Sequence, residues 1–152
     1  MDVKIVQATI NDMPEILELQ KRAYKKEAVL YNDWTIPPLT QTLSEIQAEY
    51  EIRLFLKAQF EARIVGSVRA LCNSGTCKIG RLIVHPDCQR QGIGALLMKN
   101  IEHFFPNAQR FELFTGTKST GNIRLYQKLG YEEYRQQDLS KKVRVVFMEK
   151  IR

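Results

Sequence analysis

The 152-residue sequence contains few of the residues that build disulfide frameworks or metal centres. Its three cysteines, Cys72, Cys77 and Cys88, are an odd number without a CxxC pair, and only His85 and His103 could join them. Neither histidine stands at the spacing of a zinc motif. We therefore predict free thiols in a reducing compartment and no metal site.

Long apolar runs are absent as well. The longest purely aliphatic runs, such as residues 82–84, fall far short of the roughly 20 apolar residues that span a bilayer. The first residues alternate in polarity and include Asp2 and Lys4, which is unlike a secretory signal peptide. We predict a cytoplasmic protein that does not enter a membrane.

No internal repeat, low-complexity tract or glycine-serine linker interrupts the chain. Hydrophobic residues make up 44% and charged residues 26% of the sequence, as in an ordinary globular protein. A chain of this length can bury a sizeable core without disulfides. We predict one domain over residues 1–152.

Blocks of lysine and arginine longer than a pair are also absent, although the net charge is +6. The charge is uneven, because residues 1–75 carry −1 and residues 76–152 carry +7. A basic half favours an anionic partner, which could be nucleic acid, a membrane surface or a phosphorylated ligand. The positive residues are interleaved with acids and accompany no aromatic stacking platform. We therefore expect no nucleic-acid or membrane partner.

The periodicity of the apolar residues predicts the element order β-α-α-β-β-β-α-β-α-β-β, a mixed α/β arrangement. Residues 3–8 alternate as a strand does, and helical spacing then continues to about Lys26. Aromatic and proline residues predict an irregular loop over 27–38, before a second helix over 40–50. Short turns between three strands within 54–84 predict an antiparallel meander. The remaining predicted elements are a helix over 92–104, a strand over 111–115, a helix over 119–129, and closing strands over 131–138 and 143–150.

The segment from Leu82 to Leu97 carries the most chemical information. A strand runs into a loop, and Gly92 and Gly94 then open an amphipathic helix. Unpaired N–H groups and the helix dipole attract phosphate there, glycines allow its close approach, and Arg90 adds a cation. A GxGxxG turn is excluded because Leu97 replaces its third glycine, and no GxxxxGK[ST] loop occurs. From these residues alone, the turn is either an anion site or a plain capping loop.

Two separated motifs resemble those of the GNAT acetyltransferase superfamily. Residues 89–94 match its acetyl-CoA motif Q/R-x-x-G-x-G/A, and residues 83–86 resemble the strand ending before it. Residues 122–131 resemble its second signature, a helix with N-x-x-L-Y followed by K-L-G-[FY]. The resemblance covers essentially the whole chain and implies a central, mostly antiparallel sheet of six to seven strands flanked by about four helices. It also implies transfer of an acetyl group from acetyl-CoA to a primary amine.

The resemblance assigns roles by motif position. It implies that backbone groups of Leu82, Ile83 and Val84 pair with the pantetheine arm as an extra strand does. Asn122 would form a hydrogen bond near the pantetheine, and Tyr126 would lie by the sulfur. The diphosphate would be held by the turn that comprises Gln89, Arg90, Gln91, Gly92, Ile93, Gly94 and Ala95.

One position departs from the commonest pattern, because Ser119 stands where many members have asparagine. Tyr126 can protonate the departing thiolate, since thiols have a pKa of about 8.5 and tyrosine one of about 10. The same side chain could instead only pack in the core. No glutamate occurs at residues 78–81, where many members carry the general base, so the sequence does not identify the base.

In this superfamily the first two helices and their connection line the acceptor site. Between Lys26 and Arg53 the chain has five acidic residues and no lysine or arginine, which favours a cationic or aromatic amine. A polyamine, an amino sugar or a lysine-like side chain would fit, and a solvated acidic helix face explains the same charges. The predicted acceptor-site residues, whose glutamates are also candidates for the base, are Tyr31, Trp34, Glu45, Glu49 and Glu112.

Two questions stay open at the level of sequence. The same fold could serve as a non-catalytic acyl-CoA-binding sensor instead of an enzyme. The apolar residues of the last strand could pair across a homodimer, and a place in the core explains them equally well.

Overall fold

The computed structural model describes residues 1–152, whose strands all join one sheet with helices on both faces. The strands are β1 Lys4–Gln7, β2 Leu54–Phe60, β3 Arg63–Asn73, β4 Thr76–Val84, β5 Arg110–Gly116, β6 Glu132–Asp138 and β7 Arg144–Ile151. The helices are α1 Met13–Tyr31, α2 Pro37–Thr40, α3 Leu43–Ile52, α4 Ile93–His103 and α5 Thr120–Lys128. None of these helices combines the length and the apolarity needed to cross a membrane.

The seven strands lie in the order β1-β2-β3-β4-β5-β7-β6, and only β4 and β5 pair in parallel. Short turns join β2, β3 and β4 into the predicted meander, whereas the chain reaches β5 through α4, as a parallel connection requires. The predicted mixed α/β fold with a mostly antiparallel sheet is confirmed. It has five helices instead of about four, because the short α2 was not predicted.

Helix α1 is longer than its sequence predicted. It continues past Lys26 to Tyr31 and ends at Asn32, whose backbone is left-handed with φ of 49°. Ala28 and Tyr31 are buried and extend the apolar stripe of the helix at helical spacing. The predicted irregular loop over residues 27–38 is therefore wrong for its first five residues and for the start of α2.

Helix α3 begins at Leu43, three residues after the predicted start. Thr42 caps it, since the Thr42 hydroxyl accepts from the Glu45 N–H and the Glu45 carboxylate accepts from the Thr42 N–H. This reciprocal capping box stabilises the first turn. Thr40 belongs to the preceding helix α2, which explains the displaced boundary.

Apolar side chains form two clusters, one on each face of the sheet. On the α4 face, Leu97 of α4 and Tyr126 of α5 pack with Leu56. On the α1 face, Ile16 of α1 packs with Phe55. Leu56 and Phe55 are neighbours in β2 and point to opposite faces, as alternation along a strand requires.

The cysteines do not all remain free thiols. Cys72 and Cys77 are paired directly across the β3–β4 hairpin, and a disulfide joins them. The sequence prediction is wrong for this pair, because it did not consider that the hairpin register sets the two residues opposite each other. Cys88 is a buried free thiol, as predicted.

Candidate active site

Strands β4 and β5 separate after a short stretch of pairing. They pair only over Thr76–Lys78 and Arg110–Glu112, although β4 continues to Val84 and β5 to Gly116. Beyond the paired residues, the facing edges of the two strands have backbone N–H and C=O groups without a partner in the sheet. We call this wedge between the two strands the strand opening.

A β-bulge in β4 lies at the strand opening. Arg69 pairs with Gly80 and Ser67 with Ile83, so β4 has one more residue than β3 between these two pairs. Arg81 lies within the bulge and has a left-handed backbone with φ of 49°. The extra residue reverses the alternation of side chains along β4.

Because of the bulge, two consecutive residues of β4, Gly80 and Arg81, lie toward the α1 face. Leu82 and Val84 point to the α4 face, where a Cβ built on Gly94 would lie 3.8 Å from each of them. Ile83 belongs to the cluster on the α1 face, and Arg81 lies next to Tyr24 of α1 on the same face. The residues of β4 therefore contribute to both sides of the strand opening.

The loop between β4 and α4 has the properties of an anion site. No side chain caps α4, and its first internal hydrogen bond runs from the Leu96 N–H to the Gly92 carbonyl. The amides of residues 93–95 precede that bond, so they can donate to a ligand at the positive end of the helix. Arg90 and Gly92 are left-handed, with φ of 63° and 80°, and the Arg90 side chain is exposed. These donors and this cation fit a diphosphate.

Helix α5 closes the opposite side of the same region. A Cβ on Gly94 would lie 3.3 Å from Leu125 Cδ2, so the start of α4 packs against α5 with little free space. The Asn122 amide donates to Thr115 Oγ1 at 3.4 Å and lies beside the end of β5. The predicted cofactor residues of β4, α4 and α5 thus surround one region at the strand opening.

Tyr126 of α5 is 6% exposed, and its ring centroid lies 6.1 Å from that of Tyr131. Burial raises the pKa of Tyr126, and the nearby Tyr24 and Glu27 of α1 raise it further. The phenol is therefore neutral across the physiological range and can donate a proton.

The end of α1 is tied to the loop after β5 by a chain of hydrogen bonds. The Tyr31 hydroxyl accepts from the Lys118 N–H at 3.0 Å and lies 2.9 Å from Ser119 Oγ. Ser119 Oγ in turn donates to Glu27 Oε2 at 2.6 Å, so the Tyr31 hydroxyl donates to Ser119. A Cβ on Gly116 would overlap the Tyr31 phenol, so the ring lies directly on the strand backbone.

Two arginines lie on the α1 face near the bulge. Arg69 is 2% exposed, donates to Glu49 at 2.9 Å and to Gln20, and covers the Phe55 ring at 4.5 Å. Burial lowers the pKa of Arg69 to about 10, and the Glu49 carboxylate opposes this shift. Arg69 is consequently a structural cation that joins α1, α3 and β3.

Arg81 differs from Arg69 because it is half-buried and forms no ion pair. The Nε atoms of both arginines are enclosed without a hydrogen-bond partner. The Tyr24 phenol of α1 lies within hydrogen-bond reach of the Arg81 guanidinium. Burial raises the pKa of Tyr24, and the positive charges of Arg81 and Arg69 oppose that shift. Glu27 is close enough to raise the pKa of Tyr24 as well.

The predicted acceptor residues do not all meet at the strand opening. Tyr31 lies there, whereas Trp34 is 56% exposed in the loop after α1. The Glu45 carboxylate caps its own helix, and Glu49 pairs with buried Arg69. Glu112 lies where β4 and β5 are still paired, and it binds Arg110 at 2.8 Å and accepts from Tyr134.

Sequence reasoning did not single out Tyr24, Glu27 and Arg81, which the structure brings close together. Tyr24, Glu27 and Tyr31 stand at helical spacing and share one stripe of α1, but the predicted end of the helix at Lys26 concealed that pattern. No pattern in the sequence predicted the bulge that directs Arg81 to the α1 face.

Residues 21–152 match the family model of the acetyltransferase (GNAT) domain. The match covers most of the chain, which therefore belongs to the GNAT acetyltransferase family. The resemblance based on the two sequence motifs is confirmed.

Two curated relatives are similar in sequence. UPF0157 protein YqkA of Bacillus subtilis is 31% identical over 119 residues, which cover 78% of this chain and 34% of YqkA. The chain thus spans about a third of that relative's length. The uncharacterized N-acetyltransferase MJ1530 of Methanocaldococcus jannaschii is 22% identical over 80% of this chain and 73% of its own.

Solved structures share the fold. The PaiA N-acetyltransferase of Thermoplasma acidophilum, determined in complex with coenzyme A, superposes with a TM-score of 0.82 over 100% of both chains. It is 17% identical in sequence, so the likeness concerns the fold alone.

Proposed function

We propose that the protein transfers the acetyl group of acetyl-CoA to the amine of a small molecule or peptide, by direct attack of the amine on the thioester. The observation that carries this proposal is the strand opening, which is flanked by the uncapped start of α4 and by α5, the helix that bears Tyr126. The family supports acyl transfer, and the Thermoplasma structure that shares the fold holds coenzyme A.

The donor would lie along the β4 side of the opening. The amides of residues 93–95 and the Arg90 guanidinium would hold its diphosphate. Backbone groups of residues 82–84 would pair with the pantetheine arm, because that edge of β4 has no neighbouring strand. Asn122 would donate to the same arm, and acetyl-CoA would supply the activated acetyl group.

The acceptor amine must be neutral when it attacks. We propose Glu27 as the base that takes its proton, directly or through a water molecule. Ser119 fixes one oxygen of the Glu27 carboxylate, and the other oxygen has no hydrogen bond with the protein. Glu27 is also close enough to Tyr126 to raise the pKa of that phenol.

After attack, backbone N–H groups of β4 in the opening would stabilise the negative oxygen of the tetrahedral intermediate. The C–S bond then breaks, and Tyr126 would donate its proton to the departing thiolate. Because burial raises the pKa of Tyr126, the phenol is still protonated when this step occurs.

The test is to incubate the purified protein with acetyl-CoA and a panel of primary amines. Thiol release is followed with a chromogenic disulfide, and N-acetylated products are identified by mass spectrometry. Equal amounts of free thiol and acetylated amine are expected. Binding of acetyl-CoA without thiol release would indicate a non-catalytic acyl-CoA sensor, and thiol release without an acetylated amine would indicate hydrolysis. Either result would overturn the proposal.

A further inference from the structure

The strongest unexplained feature of the molecule is the unpaired cation at the β4 bulge. Arg81 has no carboxylate partner, and its Nε is enclosed without a hydrogen bond. A buried donor on a charged group is costly to leave unpaired. The Nε of the neighbouring Arg69 is enclosed in the same way, but the terminal nitrogens of Arg69 donate to Glu49 and Gln20. The guanidinium of Arg81 has only the neutral Tyr24 phenol within hydrogen-bond reach. The protein thus supplies Arg81 with a neutral phenol but with no carboxylate.

Space is available next to this guanidinium. Gly80 precedes Arg81, and a Cβ built on Gly80 would meet no atom within 4 Å. Gly80 is paired with Arg69 across the β3–β4 ladder, so the open space lies on the α1 face. A ligand group could therefore approach Arg81 over Gly80 without displacing a side chain.

The diphosphate of the donor does not account for Arg81. The proposed phosphate donors of residues 93–95 lie at the start of α4, beyond the end of β4 and on the α4 face. Leu82 and Val84 also point to that face, whereas the bulge turns Arg81 away from it. Arg81 thus belongs to the side of the strand opening where the acceptor would enter.

The positive Arg81 and the negative Glu27 both lie near the Tyr24 phenol. Tyr24 of α1 is beside Arg81 and is also within electrostatic reach of Glu27 and Tyr126. The amine would approach Glu27 and Tyr126, where the proposed chemistry takes place. A group held by Arg81 would then lie about one side chain away from the amine.

We infer that the acceptor is a small amine that also carries an oxyanion a few bonds from its nitrogen, and that Arg81 binds this oxyanion. The inference rests on the proposed function. A guanidinium binds carboxylate and phosphate in the same forked geometry, so both fit the contact. An amino acid with a free carboxylate is the simplest such molecule. A polyamine or an internal peptide lysine lacks the anion.

The experiment compares matched acceptors that differ only in the anion. Phenylalanine is paired with phenethylamine, and O-phosphoethanolamine with ethanolamine, in acetyl transfer assays at saturating acetyl-CoA. We expect kcat/KM to be at least about tenfold higher for the anionic member of one pair, which also identifies the anion as carboxylate or phosphate. Equal values within both pairs would overturn the inference while leaving acetyl transfer established.

Variants of Arg81 assign the preference to this side chain. Arg81→Met should remove the advantage of the anionic acceptor and leave kcat/KM for the neutral acceptor within about twofold, whereas Arg81→Lys should retain part of the advantage. Arg63→Met is the matched control, since Arg63 is exposed on β3 and forms no ion pair. An advantage that persists in Arg81→Met would overturn the inference.

Two readouts separate the possible failures. Loss of acetyl-CoA affinity would show that Arg81→Met does not fold. In that case the Arg81→Lys variant and the wild-type acceptor pairs still decide whether Arg81 binds the anion. If the wild-type protein acetylates no amine at all, the proposed function itself is wrong, and the inference is overturned together with it.

Discussion

The Tyr31 phenol lies directly on the backbone of Gly116, and this contact holds the end of α1 against β5. The Tyr31 hydroxyl then continues into the hydrogen bonds to Lys118 and Ser119. One residue without a side chain therefore determines how closely α1 approaches the strand opening.

Gly116→Ala is expected to displace Tyr31 and to destabilise the protein by about 1–3 kcal/mol, because the added methyl overlaps a packed ring. Urea denaturation measures the change. Gly121→Ala is the matched control, since a Cβ at Gly121 meets nothing within 4 Å and the residue lies in α5. We expect Gly121→Ala to be neutral or slightly stabilising. Equal stability of the two variants would contradict the assigned contact.

Tyr126→Phe is expected to lower kcat by roughly 10²- to 10⁴-fold, the usual contribution of a general acid, while the KM for acetyl-CoA changes little. Steady-state kinetics with both substrates varied gives the two constants. Tyr131→Phe is the control, because it removes a neighbouring hydroxyl that donates to Glu102 outside the strand opening. Unchanged turnover of Tyr126→Phe would remove Tyr126 from the mechanism.

The pH profile tests the same residue independently. Tyr126 donates its proton only while protonated, and burial raises its pKa above the ordinary value of 10.0. Activity should therefore not decline between pH 8 and about 10 through loss of this proton. The measurement is kcat against pH with an acceptor that is already neutral in this range. A basic limb below pH 10 that disappears in Tyr126→Phe would contradict the raised pKa.

Glu27→Gln is expected to lower kcat/KM for the amine at neutral pH by about 10²-fold or more, because the amide cannot accept the proton. The deficit should shrink as the pH rises above the pKa of the acceptor ammonium, where no base is required. Ser119→Ala, which frees the Glu27 carboxylate without removing it, should cause a smaller loss. A deficit that is the same at every pH would indicate a structural role for Glu27.

Gly92→Ala places a side chain on a residue with φ of 80°, which costs about 1–2 kcal/mol in the left-handed region. We expect the KM for acetyl-CoA to rise by up to about tenfold, since 1.4 kcal/mol corresponds to a factor of ten. Gly80→Ala is the control, because Gly80 has open space around it and does not belong to the turn. A similar rise in both variants would show that the turn has no special part in donor binding.

The two segments that we assign to the donor could be identified in the sequence because each has a local pattern. The turn around Gly92 and the helix that bears Tyr126 have local patterns, since glycine placement and helical spacing are written in neighbouring residues. The structure places these segments around one opening. The assignment of each contact to the donor stays a prediction.

The acceptor side was not predictable in the same way. Arg81 points to the α1 face only because of a bulge, which depends on the register between two strands and not on a local pattern. Glu49 looked like a free carboxylate in the sequence, yet it is engaged by Arg69 of a distant strand. Charge counted along the chain could not distinguish carboxylates that face ligands from those that neutralise buried arginines.

The bulge in β4 also has a consequence for how such a protein can diversify. Arg81 and Leu82 are joined by one peptide bond but point to opposite sides of the sheet, so replacing the Arg81 side chain need not alter the surface beside Leu82. Under the proposed function, single substitutions at Arg81 can change which amine is acetylated, while the binding of acetyl-CoA stays the same. By turning Arg81 to the α1 face, one inserted residue separates the side chain that would select the acceptor from the residues that would hold the donor.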